Sequence, residues 1–141
     1  MPKSPPLPII KIVGISAGGK STLVKALRAH GYDARPVSQE HSNVPDLWRQ
    51  FDKPQWLFYL DVSLEGQRGR RPDVSWSAKW RQTEEIRLRH ARSHADLIIN
   101  TTAMEPDAVA NLALLFLRDK RVGHAQEALP LLAATGSARK E

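Results

Sequence analysis

The sequence contains no cysteine. Disulfides, thiolate zinc sites, iron–sulfur clusters and a cysteine nucleophile are excluded with it, and nothing argues for an oxidising compartment. Long apolar runs are missing as well. The longest, residues 112–117, falls far short of the ~18–20 residues that span a bilayer. The N-terminus offers no apolar leader, because Lys11 interrupts the first hydrophobic stretch. Residues 1–6, with three prolines among them, read as a polyproline-like arm rather than a signal peptide. No internal repeat is present. A cytoplasmic protein with no membrane partner is the expectation.

What is there is one domain's worth of chain: 141 residues, 41% of them hydrophobic, enough to bury a core without staples. The 21 lysines and arginines outnumber the 15 acidic residues, leaving a net charge of +6. That surplus favours an anionic partner and admits nucleotides, phosphorylated metabolites, nucleic acid or acidic lipid.

Ile9, Ile10, Ile12 and Val13, with proline before and glycine after, read as a buried strand. Leu23, Val24 and Leu27 recur at helical spacing over residues 20–30, with Gly31 placed to end the helix. A second short strand is expected within residues 34–39. Ser42 or Asn43 then caps a short helix through residues 44–49. Residues 56–61 form another apolar strand, Ser63 caps the segment after it, and an arginine-rich connection carries Arg68, Arg70 and Arg71 to Asp73. Ser77 caps a long helix to about His94, and residues 95–100 form a last strand. Pro106 and Asp107 open a final helix with Val109, Leu112, Ala113 and Phe116 on one stripe. This alternation implies a three-layer α/β fold with a short, mostly parallel sheet. The expected organisation is a flexible arm over residues 1–8, one domain over residues 9–122, and a partly disordered extension over residues 123–141 that loosens from Ala133 onward.

Gly14-Ile15-Ser16-Ala17-Gly18-Gly19-Lys20-Ser21 fits the pattern G-x-x-x-x-G-K-[ST] between the first strand and the first helix. The chemistry explains the residue types. Glycines let backbone N–H groups wrap a polyphosphate, and the start of the helix adds positive potential at the same point. Lys20 reaches the β- and γ-phosphates and the Ser21 hydroxyl holds Mg²⁺. Gly14, Ser16, Ala17, Gly18, Gly19, Lys20, Ser21 and Thr22 are therefore the expected binding residues for ATP or GTP with Mg²⁺.

With this loop, the chain resembles small P-loop kinases of the nucleoside and nucleotide kinase group. Residues 57–65 resemble the strand and helix start that precede the lid in those enzymes. Residues 94–101 resemble their final strand, as in dephospho-coenzyme A kinase. The resemblance implies a P-loop NTPase fold and transfer of the γ-phosphate to a small acceptor, which the sequence leaves unidentified. It also implies lid arginines, for which Arg70 and Arg71 are the preferred candidates, and a loop near the adenine carrying Asn100, Thr101 and Thr102. The stretch between the loop and Trp56 is shorter than such kinases use for an extra strand and an acceptor region. A nucleotide-binding switch or ATPase working through a protein partner is thus the second reading. An enzyme acting on nucleic acid is the third.

Phosphoryl transfer needs a carboxylate for the metal shell or the acceptor proton, and ligands collect at the C-terminal ends of parallel strands. Glu40 and Asp61 both end predicted strands. Glu40 is preferred for the metal alongside Ser21 and for catalysis alongside Lys20, Arg70 and Arg71, with Asp61 left open. Glu84–Arg87 and Glu85–Arg89 have helical pairing distances. His90 and His94 are spaced like a helical metal pair but lack the glutamate and third ligand of a zinc site, so a surface pair is expected. Trp48 and Trp76 are candidates for base stacking, against an ordinary packing role.

Overall fold

The apolar run at the start of the chain forms the first strand of a four-stranded sheet, and the pattern around it dictates the rest. The computed structural model describes residues 6–132. Residues 1–5 of the arm expected over residues 1–8, and residues 133–141 of the expected extension, lie outside the described residues. Strands β1 (Ile9–Gly14), β2 (Asp33–Pro36), β3 (Trp56–Asp61) and β4 (Leu97–Asn100) are all parallel, in the order β2-β1-β3-β4. Between them lie helices α1 (Lys20–Ala29), α2 (Leu64–Arg70) and α3 (Ala78–His94), and α4 (Pro106–Asp119) follows β4. β1 pairs on both sides, aligning Ile12 with Pro36 and with Phe58. Pro36 ends the edge strand, where its missing N–H costs no ladder bond.

Strand alternation sorts the core into two halves. Ile10, Ile12, Phe58 and Leu60 pack with Leu23, Val24 and Leu27 of α1 and Val109, Ala113 and Leu117 of α4. Val13, Leu57 and Tyr59 pack on the other side with Leu88 and Ala91 of α3. Helices therefore cover both faces of the sheet, as the continuous apolar strands require. Lys11, on the α3 side of β1, is buried and donates to the Gln50 carbonyl at 3.1 Å. Burial pulls its pKa below the ordinary lysine value, against the opposing attraction of Asp52. Among the described residues no helix is long and apolar enough to cross a membrane.

Four local expectations are corrected. No helix capped by Ser42 or Asn43 forms over residues 44–49. A short 3₁₀ turn, Leu47–Arg49, stands there instead, and another, Gln39–His41, precedes it. The reason is Gln39, which is fully buried: its side chain donates to the Val44 carbonyl at 2.6 Å and accepts from the Trp48 N–H at 3.0 Å, satisfying groups a helix would have used. The connection carrying Arg68 and Arg70 is helical, because Ser63 caps α2 by accepting from the Gly66 N–H at 3.0 Å. On α4 the buried stripe is Val109, Ala113, Leu114 and Leu117, rotated so that Leu112 is exposed. Phe116 is only partly buried, edge-on to Trp56 and Phe58. On α3, Glu85 pairs with Arg81 rather than Arg89, and Glu84 turns inward to the loop after β1.

Helix α1 stops at Gly31, whose φ of +87° suits glycine. The Gly31 N–H donates to the Arg28 carbonyl and the Tyr32 N–H to the Leu27 carbonyl, closing a Schellman motif. Residues 123–130 then run back across this end of α1. The Ala125 N–H donates to the Gly31 carbonyl at 2.8 Å, and the Arg28 Nε donates to the Pro130 carbonyl at 2.7 Å. The part of the C-terminal extension that precedes the expected loosening at Ala133 is thus fastened to the domain. A Cβ on Gly31 would lie 2.1 Å from the Ala125 carbonyl oxygen. Gly31→Ala combines that clash with a left-handed backbone, and should cost about 2–4 kcal/mol in urea unfolding. An unchanged denaturation midpoint would mean that this segment does not bear on stability.

Asp33, at the start of β2, accepts from Arg28 at 3.1 Å and Arg35 at 2.9 Å. Burial pushes its carboxyl up, but Arg35 and Arg28 together hold it below the ordinary 3.8. A lowered folded-state pKa contributes stability that is complete above the unfolded value and is lost as pH falls through the folded one. Asp33→Asn should therefore be less stable than the wild type at pH 7. The gap should close as pH drops below about 3.8 in acid unfolding curves.

Candidate functional site

The turn from β1 into α1 carries the site. Gly14 lies so close to β3 that a Cβ would meet the Leu60 carbonyl oxygen at 2.3 Å, which is why glycine closes the strand. The Ile15 N–H donates to that same carbonyl at 3.1 Å and the Gly18 N–H donates back to the Ile15 carbonyl at 2.9 Å, curling the loop tightly. Ala17 takes a φ of +66°, a left-handed value seldom adopted by alanine. Among the described residues no protein acceptor meets the N–H groups of Ala17, Gly19, Lys20, Ser21 or Thr22. Five donors at the start of a helix form a concavity of positive potential.

The Lys20 ammonium donates to the Gly14 carbonyl at 2.9 Å and to Glu40 Oε2 at 2.7 Å. Glu40 sits in the 3₁₀ turn after β2, 4% exposed, and its Oε1 has no hydrogen-bond partner among the described residues. A buried carboxylate oxygen without a donor is costly unless a water, ligand, ion or proton meets it. His41 approaches the other oxygen at 3.6 Å. Asp61 goes elsewhere: it accepts from Arg81 at 3.0 Å and from the Val62 N–H at 2.9 Å, across β1 from Glu40.

A cleft of about 850 Å³ lies over the loop. Glu40, His41 and Pro36 form one wall, and Arg71, Trp76 and Trp80, from the α2–α3 connection and the start of α3, form another. A second cavity of about 520 Å³ shares Ala17, Gly18, Gly19, Thr22 and Arg70 with it and extends between residues 101–106 and Val109. Arg70 stands at the junction. Its guanidinium donates to the Ala17 carbonyl at 2.7 Å, to Thr101 Oγ1 at 3.0 Å and to the Thr101 carbonyl. Thr101 is buried and donates to the Gly18 carbonyl at 2.9 Å. Arg71 points to solvent and pairs with Asp73 at 2.9 Å, holding that carboxyl below the ordinary range.

The structure thus brings together Gly14, Ser16, Ala17, Gly18, Gly19, Lys20, Ser21, Thr22, Glu40 and Arg70, with Arg71 on the cleft wall. Asn100 lies beside this group: its Oδ1 accepts from the Thr102 N–H at 3.0 Å, so it shapes the turn whose next residues line the second cavity. Trp48 is a packing residue, buried and donating to His90 Nδ1 at 3.0 Å, whereas Trp76 faces the cleft. His90 and His94 stack at 4.3 Å, and among the described residues no three His, Cys, Asp or Glu side chains form a metal cluster.

Two residues of the site escaped the sequence pattern. Glu84 accepts from the Ser16 N–H at 3.0 Å and the Ser16 hydroxyl at 2.6 Å, and Gln67 Nε2 donates to the Ser16 carbonyl at 2.9 Å. The available signal was register, since Glu84 shares its i, i+4, i+7 helix face with Leu88 and Ala91. Comparison with protein-family models and with curated proteins finds no match.

Proposed function

We propose that this chain is a P-loop protein that binds Mg²⁺-ATP or Mg²⁺-GTP in the cleft and transfers the γ-phosphate to a small hydroxyl-bearing acceptor. The single observation that carries the reading is Lys20, seated beside five unpartnered loop N–H groups and paired with a buried carboxylate whose second oxygen is free among the described residues. Those N–H groups bind phosphate oxygens, and Lys20 exchanges Glu40 for the β- and γ-phosphates. Ser21 and, through water, Glu40 suit Mg²⁺, which when bound offsets the negative charge of the phosphates. Arg70 closes the space between the triphosphate and the cavity at residues 101–106, where a base fits. Arg71 reaches the transferring phosphate by leaving Asp73, a solvent-exposed partner that water readily replaces.

Once Lys20 moves to the phosphates, Glu40 is left to accept the proton of the attacking hydroxyl. The acceptor oxygen bonds to the γ-phosphorus, the bond from the γ-phosphorus to the bridging oxygen breaks, and the nucleoside diphosphate leaves with that electron pair. Trp76 and Trp80 give the acceptor side of the cleft an aromatic wall. One observation favours a second reading, a nucleotide-dependent switch. Between α1 and β3 stand only β2 and two 3₁₀ turns, with no helical region to enclose an acceptor.

Calorimetric titration of Mg²⁺-ATP and Mg²⁺-GTP into the full chain tests the proposal, with diphosphate formation followed against a panel of small alcohols. Binding with acceptor-stimulated turnover supports the kinase, and binding without turnover moves the reading to the switch. No binding of either nucleotide overturns both.

A further inference from the structure

Glu84 is fully buried in α3, and both of its oxygens are taken up by one residue of the glycine-rich loop, Ser16. An apolar side chain at this position would extend the stripe of Leu88 and Ala91 without the desolvation cost of a carboxylate. On the other side of the loop Gln67, also fully buried, donates to the Ser16 carbonyl while its own Oε1 stays without a partner among the described residues. The N–H, hydroxyl and carbonyl of a single residue are thus held from two helices. The next residue, Ala17, is kept at a φ of +66°, which persists in a non-glycine residue when its surroundings over-determine it.

We propose that Glu84 is a positioning residue that fixes the Ile15–Ser16 peptide and the Ser16 side chain, while Gln67 holds the Ser16–Ala17 peptide by its carbonyl. Glu84 draws the Ser16 N–H away from the cleft and, with Gln67, turns the loop so that the following N–H groups face outward together. The consequence for affinity rests on the nucleotide-binding reading above; the effect on the loop does not. Because α2 and α3 also bound the segment carrying Arg71, Val74 and Trp76, the same grip ties the cleft wall to the shape of the loop. A purely electrostatic role would have the opposite sign: a buried negative charge behind an anion site weakens binding, so removing it would tighten nucleotide.

The test is Glu84→Gln, which keeps the size of the side chain, together with Ser16→Ala and the double variant, all in the full chain. Two readouts are needed: amide hydrogen exchange resolved to the loop, and calorimetric affinity for Mg²⁺-ATP. Glu84→Gln should raise loop exchange and the Kd about tenfold each, the scale of one charge-assisted hydrogen bond, with exchange in the sheet unchanged. The double variant should be no worse than the weaker single one, since both disturb one contact. Unchanged loop exchange, exchange rising throughout the sheet, or tighter Mg²⁺-ATP binding would each overturn the assignment. If the wild type binds no nucleotide, the functional reading falls and loop exchange alone decides the role of Glu84.

Discussion

Lys20→Ala should weaken Mg²⁺-ATP binding by ~1.5–3 kcal/mol, the range for a hydrogen bond to a charged group. The same substitution should also lower the stability of the free protein by up to about 3 kcal/mol, because it strands a buried carboxylate. The second effect follows from the ion pair at 2.7 Å, with Glu40 side-chain exposure of only 5%. The two losses have different cures. Lys20→Ala combined with Glu40→Gln removes the stranded charge and should recover most of the stability while leaving binding as weak as in the single variant. Thermal unfolding and calorimetry on the three proteins separate them. A folded Lys20→Ala protein that binds Mg²⁺-ATP as tightly as the wild type would remove the basis for a nucleotide site at this loop.

How much of this arrangement is legible in the sequence depends on the range of the contacts. The glycine-rich loop is contiguous, and the flanking periodicities state its setting, so strand, loop and helix follow from one stretch of chain. Glu40 is legible by a rule of architecture rather than by a motif: it follows a strand, though in the 3₁₀ turn after β2 rather than at the strand end expected, and ligands collect beyond the carboxyl ends of parallel strands. The strands that precede Glu40 and that carry Asp61 both flank β1, and side-chain contacts separate the two carboxylates, with Glu40 on Lys20 and Asp61 on Arg81.

Long-range polar contacts are a different matter. Glu84 and Ser16 are 68 residues apart, and a glutamate three residues before an arginine on a helix has a ready local explanation. Only its place on the face of Leu88 and Ala91 argues for burial. Arg70 illustrates the same limit. Its charge marked it for a phosphate, but its three contacts are to oxygens of Ala17 and Thr101 that no local pattern foretells. Gln39 misled in the other direction: one buried amide, satisfying two backbone groups, replaced the expected helix with turns. On α4 the apolar residues are dense enough that several stripes fit, and packing against α1 and the sheet selects one.

Glu40→Gln should lower acceptor-dependent turnover by about 10²–10⁴-fold, the usual contribution of a positioned general base, with a much smaller change in Mg²⁺-ATP affinity. The split between the two effects follows from the geometry. Oε2 is engaged by Lys20 in the free protein, but Oε1 is buried without a donor among the described residues, so the structure carries a desolvated acceptor that its own hydrogen bonds do not use. Glutamine preserves the shape and an oxygen for Lys20 but cannot take up a proton from a hydroxyl. It also brings an amide –NH₂ into a position where the acidic oxygen had no donor to lose. On the proposed reading nucleotide binding rests on the loop N–H groups and Lys20, so it should be largely retained while transfer is not. Asp61→Asn is the matched control, since Asp61 is held by Arg81 and the Val62 N–H on the far side of β1. It should leave turnover within about threefold and cost only local stability. The reverse outcome, full turnover in Glu40→Gln and loss in Asp61→Asn, would transfer the chemistry to β3 and make the Lys20–Glu40 pair a structural clasp. Single-turnover measurement of diphosphate formation at saturating nucleotide decides between them, because at saturation an effect on binding no longer enters the rate.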